Sequence, residues 1–152
     1  MKKLIITGAI ILSSIFSIGA MAQMSDEDAA AAVKRRQSVF QMLAFSNGPL
    51  GQMARGSDFS AETAILGSQR VAMLAPMIAD LFAADTTGNN SVTTRAADTI
   101  WANQADFAQL AQDLVDGANA AIEILQNGGD ARAAVGQIGP KCGACHDRFR
   151  LD

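Results

Sequence analysis

Apolar positions recur every three to four residues along most of this chain, and four stretches keep that period long enough to read as amphipathic helices. The first covers residues 25–46. Ser25 opens it as an N-cap with Glu27 and Asp28 in the first turn, and Val33, Arg36, Gln37, Phe40, Leu43 and Ala44 share one face. Asn47-Gly48-Pro49 is expected to stop it. The second covers residues 60–75, from Ser60 with Glu62 in its first turn, and turns Ala61, Ala64, Ile65, Ser68, Val71, Ala72 and Ala75 inward. Pro76 ends or kinks it, because proline removes a helix hydrogen bond.

A long connection, residues 76–102, follows. Met77, Ile78, Leu81 and Phe82 suggest a packed helical turn early in it, and the polar, Gly/Asn-rich residues 86–94 read as a surface loop. The third helix covers residues 103–126, with Phe107, Leu110, Ala111, Leu114, Ala118, Ala121, Ile122 and Leu125 on one face, and Asn127-Gly128-Gly129 ends it. The fourth covers residues 130–149 and turns Ala131, Ala134, Val135, Ile138, Cys142, Cys145 and Phe149 inward, with a bend expected near Pro140. No stretch favours a strand. The fold class is all-α, an antiparallel four-helix bundle. Two residues of the first inward stripe, Arg36 and Gln37, are polar, which a plain core does not explain.

Composition agrees with this reading. Apolar residues are 49 % and charged residues 18 %, enough for one core and too apolar for a disordered chain. Tyrosine is absent and aromatics are 5 %, which suits helices better than strands. The formal charge of −3 leaves no basic field for nucleic acid, and two cysteines cannot staple a disulfide scaffold.

The first residues read as an address. Lys2 and Lys3 precede an apolar run over residues 4–18, and Ala20-Met21-Ala22 supplies the small-x-small end of a secretory signal peptide. The run falls short of the about 20 apolar residues that span a bilayer. Cleavage is expected after Ala22, leaving residues 23–152 as the domain. Loss of Lys2 and Lys3 leaves 10 basic residues against 15 acidic ones, a net charge of −5. The compartment is expected to be a bacterial periplasm, with no membrane span in the processed chain.

The chemistry lies near the C-terminus, in Cys142-Gly143-Ala144-Cys145-His146. Cys-x-x-Cys-His is the attachment signature of c-type haem. Cysteines three apart share a helix face and can reach both vinyl groups of one porphyrin, each forming a thioether, while His146 reaches the iron as axial ligand. A zinc site would need about four ligands where this chain offers two Cys and one His. A thioredoxin-like redox pair would need a βαβ setting, and a chance motif in a structural helix is the remaining alternative.

The whole of residues 23–152 resembles the cytochrome c′ family, the class II c-type cytochromes. The resemblance is carried by Val33-Lys34-Arg35-Arg36-Gln37-Ser38-Val39-Phe40, by Ile100-Trp101, and by Cys142-Gly143-Ala144-Cys145-His146-Asp147-Arg148-Phe149-Arg150. It implies one haem c per chain. It implies that Arg36 and Gln37 lie beside the haem, where the guanidinium suits a propionate; the alternative is a pair pointing to water. It places Phe40 at the distal position, where low-spin relatives carry a ligating methionine. His146 is the only histidine, and Met42 is turned about 200° from Phe40, so the iron is expected to be five-coordinate. Arg150, four residues after His146, matches the family's basic residue near the proximal face; a solvated arginine at a helix C-terminus is the other reading.

The implied function is reversible binding of nitric oxide, and more weakly carbon monoxide, for scavenging or buffering, with little affinity for oxygen. No acid–base pair suggests turnover, so an enzyme is not expected. The alternative is a monohaem electron-transfer cytochrome with a redox partner protein, and a third reading is a sensor that signals through its dimer. The resemblance also implies a homodimer formed through the first two helices.

Overall fold

The computed structural model describes residues 24–89 and 91–152. The signal-peptide expectation, residues 1–22, lies outside the described residues. Six helices are present among them: α1 Asp26–Ala54, α2 Ala61–Leu74, α3 Met77–Leu81, α4 Thr99–Ala102, α5 Gln104–Gln126 and α6 Ala131–Phe149. The long helices form a closed ring in which α1 and α5 each pack against both α2 and α6. No strand occurs among the described residues; one isolated antiparallel bridge joins Ala96 to Arg150.

Three helix starts follow from side-chain caps. Ser25 Oγ accepts from the Asp28 N–H at 3.1 Å, Ser60 Oγ from Thr63 N–H at 3.2 Å, and Asp130 Oδ1 from Ala133 N–H at 2.8 Å. Each satisfies a donor that the first helical turn would otherwise leave open. The interior follows the expected stripes, with Ala64, Val71, Phe107, Leu114, Ala121, Leu125, Ala134 and Ile138 all buried.

Two expected breaks are absent. α1 does not stop at Asn47-Gly48-Pro49 but continues to Ala54. Leu50 is only 1 % exposed, and Met53 and Ala54 pack against the core. Burying Leu50 contributes about 2 kcal/mol, so with its neighbours the extension offsets the roughly 3 kcal/mol that an interior proline costs. Phe45, whose carbonyl loses the proline's missing donor, is exposed, so water can replace that donor. α6 likewise runs uninterrupted across Pro140, because Gly136 and Pro140 both lie on its exposed side while Ile138 is fully buried. Tertiary packing outweighs local helix propensity in both cases.

The expected turn after Pro76 is α3, which buries Ile78, and the rest of the connection crosses one end of the bundle to α4. Two glycines set how closely the long helices approach. A Cβ at Gly67 would meet Ser46 O at 2.5 Å, and one at Gly117 would meet Gln137 O at the same distance. The second contact presses α5 onto α6 one turn before Cys142, and so helps fix the segment that carries the chemistry.

Candidate haem site

The four long helices enclose a cavity of about 570 Å³. α6 contributes Cys142, Cys145 and His146 to its wall, and α1 contributes Arg36, Gln37 and Phe40. Arg150 stands at the rim, beyond the last turn of α6. All seven residues singled out in the sequence therefore meet at one cavity. Both cysteines are free thiols, half-buried, and pack against the core. Burial pushes both thiols above the usual range, and the neighbouring Cys142 adds to the rise at Cys145. His146 is held below its ordinary value by burial and then by Arg150 and Arg95, against the opposing pull of Asp147. A neutral imidazole is the form that ligates a metal.

Arg36 is 3 % exposed, which excludes the reading in which it points to water. Its guanidinium donates from Nε to Leu81 O at 2.9 Å, from Nη1 to Thr86 Oγ1 at 2.9 Å, and from Nη2 to Ala84 O at 2.5 Å. It also lies 4.4 Å from the Phe82 ring centre and 5.3 Å from that of Trp101. Burial lowers its pKa, with Arg35 adding and Asp85 opposing, yet an arginine stays charged. The polar residue in the inward stripe thus has a structural task within the chain: it fastens the connection after α3 to α1. Gln37 is exposed and lines the cavity opening.

Phe40 sits deeper on the same face of α1, half-buried, in a T-shaped pair with Phe82 at 6.3 Å between ring centres. Phe82, Phe107 and Phe149 continue from it as a chain of contacting rings along the cavity wall. Among the described residues no methionine lines the cavity, and His146 is its only imidazole. Met42 lies on the outer surface, 49 % exposed.

Several residues of the site carry no signal in the sequence. Thr94, Arg95 and Ala96 line the cavity because the end of the connection pairs with the C-terminal residues: Ala97 N donates to Phe149 O at 3.0 Å, Leu151 N to Arg95 O at 2.8 Å, and Arg95 Nε to Leu151 O at 3.0 Å. Asn47 lines the cavity with a buried Oδ1 that has no partner among the described residues. Its signal in the sequence was masked by the expected helix stop.

The residues present fit a c-type haem. The wall is mostly apolar, and the two thiols and the imidazole approach it from one helix. Arg36, Arg95, Lys141 and Arg150 line it, while among the described residues no Asp or Glu does, in a chain whose acidic residues outnumber its basic ones. An apolar ring system bearing two carboxylates matches that wall.

Fold and site together define a four-helix-bundle protein with a C-terminal Cys-x-x-Cys-His on the wall of an internal cavity. The model of the family "Cytochrome C'" matches residues 31–150, and the chain belongs to that family of haem proteins. It is 33 % identical over 129 residues to a cytochrome c′ of Cereibacter sphaeroides, covering 82 % of this chain and 85 % of that one. Among solved structures, it resembles the cytochrome c′ of Thermochromatium tepidum, with a TM-score of 0.71 and 29 % identity over 86 % of this chain and all of that one. The nitric oxide complex of a mutant cytochrome c prime from Alcaligenes xylosoxidans is similar too, with a TM-score of 0.67 and 26 % identity over 86 % of this chain and all of that one.

Proposed function

We propose that this protein is a periplasmic haem c protein that binds nitric oxide, and more weakly carbon monoxide, to scavenge or buffer them without turnover. The observation that carries the reading is the make-up of the cavity wall. Among the described residues it offers one imidazole, His146, and no methionine, while α1 presents the ring of Phe40. When bound, the haem would supply an iron able to take a small diatomic ligand.

The chain's own residues do the rest. Cys142 and Cys145 hold the porphyrin through two thioethers, one haem per chain, and His146 ties it to α6. Arg36 and Gln37 stand where they can receive one propionate; the second N–H groups on Nη1 and Nη2 of Arg36 are beyond those engaged by Ala84 and Thr86. Arg150 lies beside His146 at the proximal rim, close enough to lower its basicity. Phe40 covers the open position with a ring that donates no hydrogen bond, which disfavours ligands that need one, oxygen among them. Its bulk selects by size.

The relative solved as a nitric oxide complex supports the choice of ligand. The electron-carrier alternative is better served by a second protein ligand as the iron's sixth, and among the described residues the wall offers no methionine and no further histidine for it. The leader-like residues 1–22 support export, and among the described residues no helix is long and apolar enough to cross a membrane. A homodimer is supported by large apolar side chains on the outer sides of α1 and α2: Met42, Phe45, Leu66 and Met73 are all exposed. The test of the gas reading is a carbon monoxide titration of the ferrous, haem-loaded protein. Saturable binding at one equivalent per haem is expected, and absence of binding contradicts it.

A further inference from the structure

A second, smaller cavity of about 130 Å³ lies where α3 meets the start of α5, lined by Ala79, Phe82, Ala83, Gln104, Phe107 and Ala108. Its floor is made of the two buried rings, Phe82 and Phe107, and its rim of the more exposed alanines and Gln104. The same two rings line the haem cavity. They are therefore a shared partition, with their centres 4.8 Å apart, between the outer surface and the space that Phe40 faces.

We propose that this cleft is a docking site and access port for uncharged diatomic gas on its way to the haem cavity, a proposal that rests on the gas-binding reading above. Three properties support it. The size is that of an apolar site for a small atom or molecule: a cavity of about 150 Å³ lined by Leu, Ile and Phe stays dry and binds xenon. The lining is apolar apart from Gln104, whose Nε2 is turned to Phe82 O at 3.4 Å. The rim is small, since Ala79, Ala83 and Ala108 each leave room that a larger side chain would fill.

The two rings are held unequally. The Phe82 carbonyl accepts from Trp101 Nε1 at 3.0 Å as well as from Gln104, and the Arg36 guanidinium lies 4.4 Å from its ring centre. Among the described residues no cation lies over the ring of Phe107, which meets those of Phe82 and, at 5.3 Å, Phe149 within the buried core. Phe82 is then the fixed post and Phe107 the ring that swings to let a gas molecule pass.

The experiment uses the haem-loaded protein with xenon as the probe of the cleft and carbon monoxide as the probe of passage. Crystals under xenon pressure should show an atom in the cleft, and Ala108→Phe should remove it. In solution, Ala108→Phe should slow carbon monoxide association and dissociation by the same several-fold factor, leaving the affinity unchanged, because a port alters the path and not the end states. Ala79→Leu, on the opposite rim, should act in the same direction. An empty cleft under xenon, or wild-type rates in both variants, overturns the proposal. Failure of the wild-type protein to bind carbon monoxide overturns the gas-binding reading and the port with it, while the xenon result judges the cleft independently.

Discussion

Phe40 and Met42 point to opposite sides of α1: Phe40 lines the haem cavity, and Met42, two residues on, lies on the outer surface. Two residues turn a helix by about 200°, so the first cannot face the cavity without taking the second out of it. This phasing keeps the sulfur of Met42 off the cavity side of α1. Phe40→Met brings a sulfur to that side. Sharp, split visible bands of six-coordinate iron are expected in the reduced variant, together with weaker carbon monoxide binding. An unchanged spin state counts against the phasing.

Arg36 is the buried cation of the bundle's connection. Three hydrogen bonds from it hold residues 81, 84 and 86; its removal takes the side-chain donor from Leu81 O and leaves Ala84 O with Trp101 Nε1 alone. Arg36→Ala should destabilise the haem-loaded protein by about 3 kcal/mol or more, since hydrogen bonds to charged groups carry about 1.5–3 kcal/mol each. Urea unfolding followed by helix circular dichroism measures it. A change within the range of an ordinary surface substitution contradicts the fastening role.

The proposed covalent attachment of the haem rests on Cys142 and Cys145 together. Denaturation in acid followed by solvent extraction should leave the porphyrin on the wild-type chain and release it from Cys142→Ser/Cys145→Ser. Retention by the double variant contradicts the thioether assignment.

How the sequence led to this site can be judged residue by residue. The helix faces were legible because apolar positions repeat with the helix period, and the capping residues Ser25, Ser60 and Asp130 marked the starts. The motif at Cys142, Cys145 and His146 stood out because its spacing is set by covalent chemistry. The proline signals misled, since Leu50 and Ile138 bury enough apolar surface to carry α1 and α6 past Pro49 and Pro140. Arg36 stands out as a polar residue in an apolar stripe, but its partners Leu81, Ala84 and Thr86 come from a connection whose path depends on tertiary packing. The same reason hid Arg95, which reaches the cavity through the bridge between Ala96 and Arg150.

Phe45 is 67 % exposed and lies near Met42 on the outer side of α1. In a symmetric dimer its contact is made twice, so Phe45→Glu removes about 2 kcal/mol of apolar burial at two places and should weaken the dimer by roughly a thousandfold. Sedimentation should then show monomer at concentrations where the wild-type protein is dimeric. The visible spectrum should not change, because Phe45 does not line the cavity. Equal dimer strength in the two proteins contradicts the use of this face.

The central claim is an iron held by His146 alone on the protein's side, with an open position beneath Phe40. The most direct test is the visible absorption spectrum of the dithionite-reduced protein, recorded before and after nitric oxide. A broad, unsplit band that shifts on adding the gas is the expected result. Sharp, split bands indifferent to nitric oxide would contradict the claim, show that a second side chain reaches the iron as its sixth ligand, and make electron transfer the leading function.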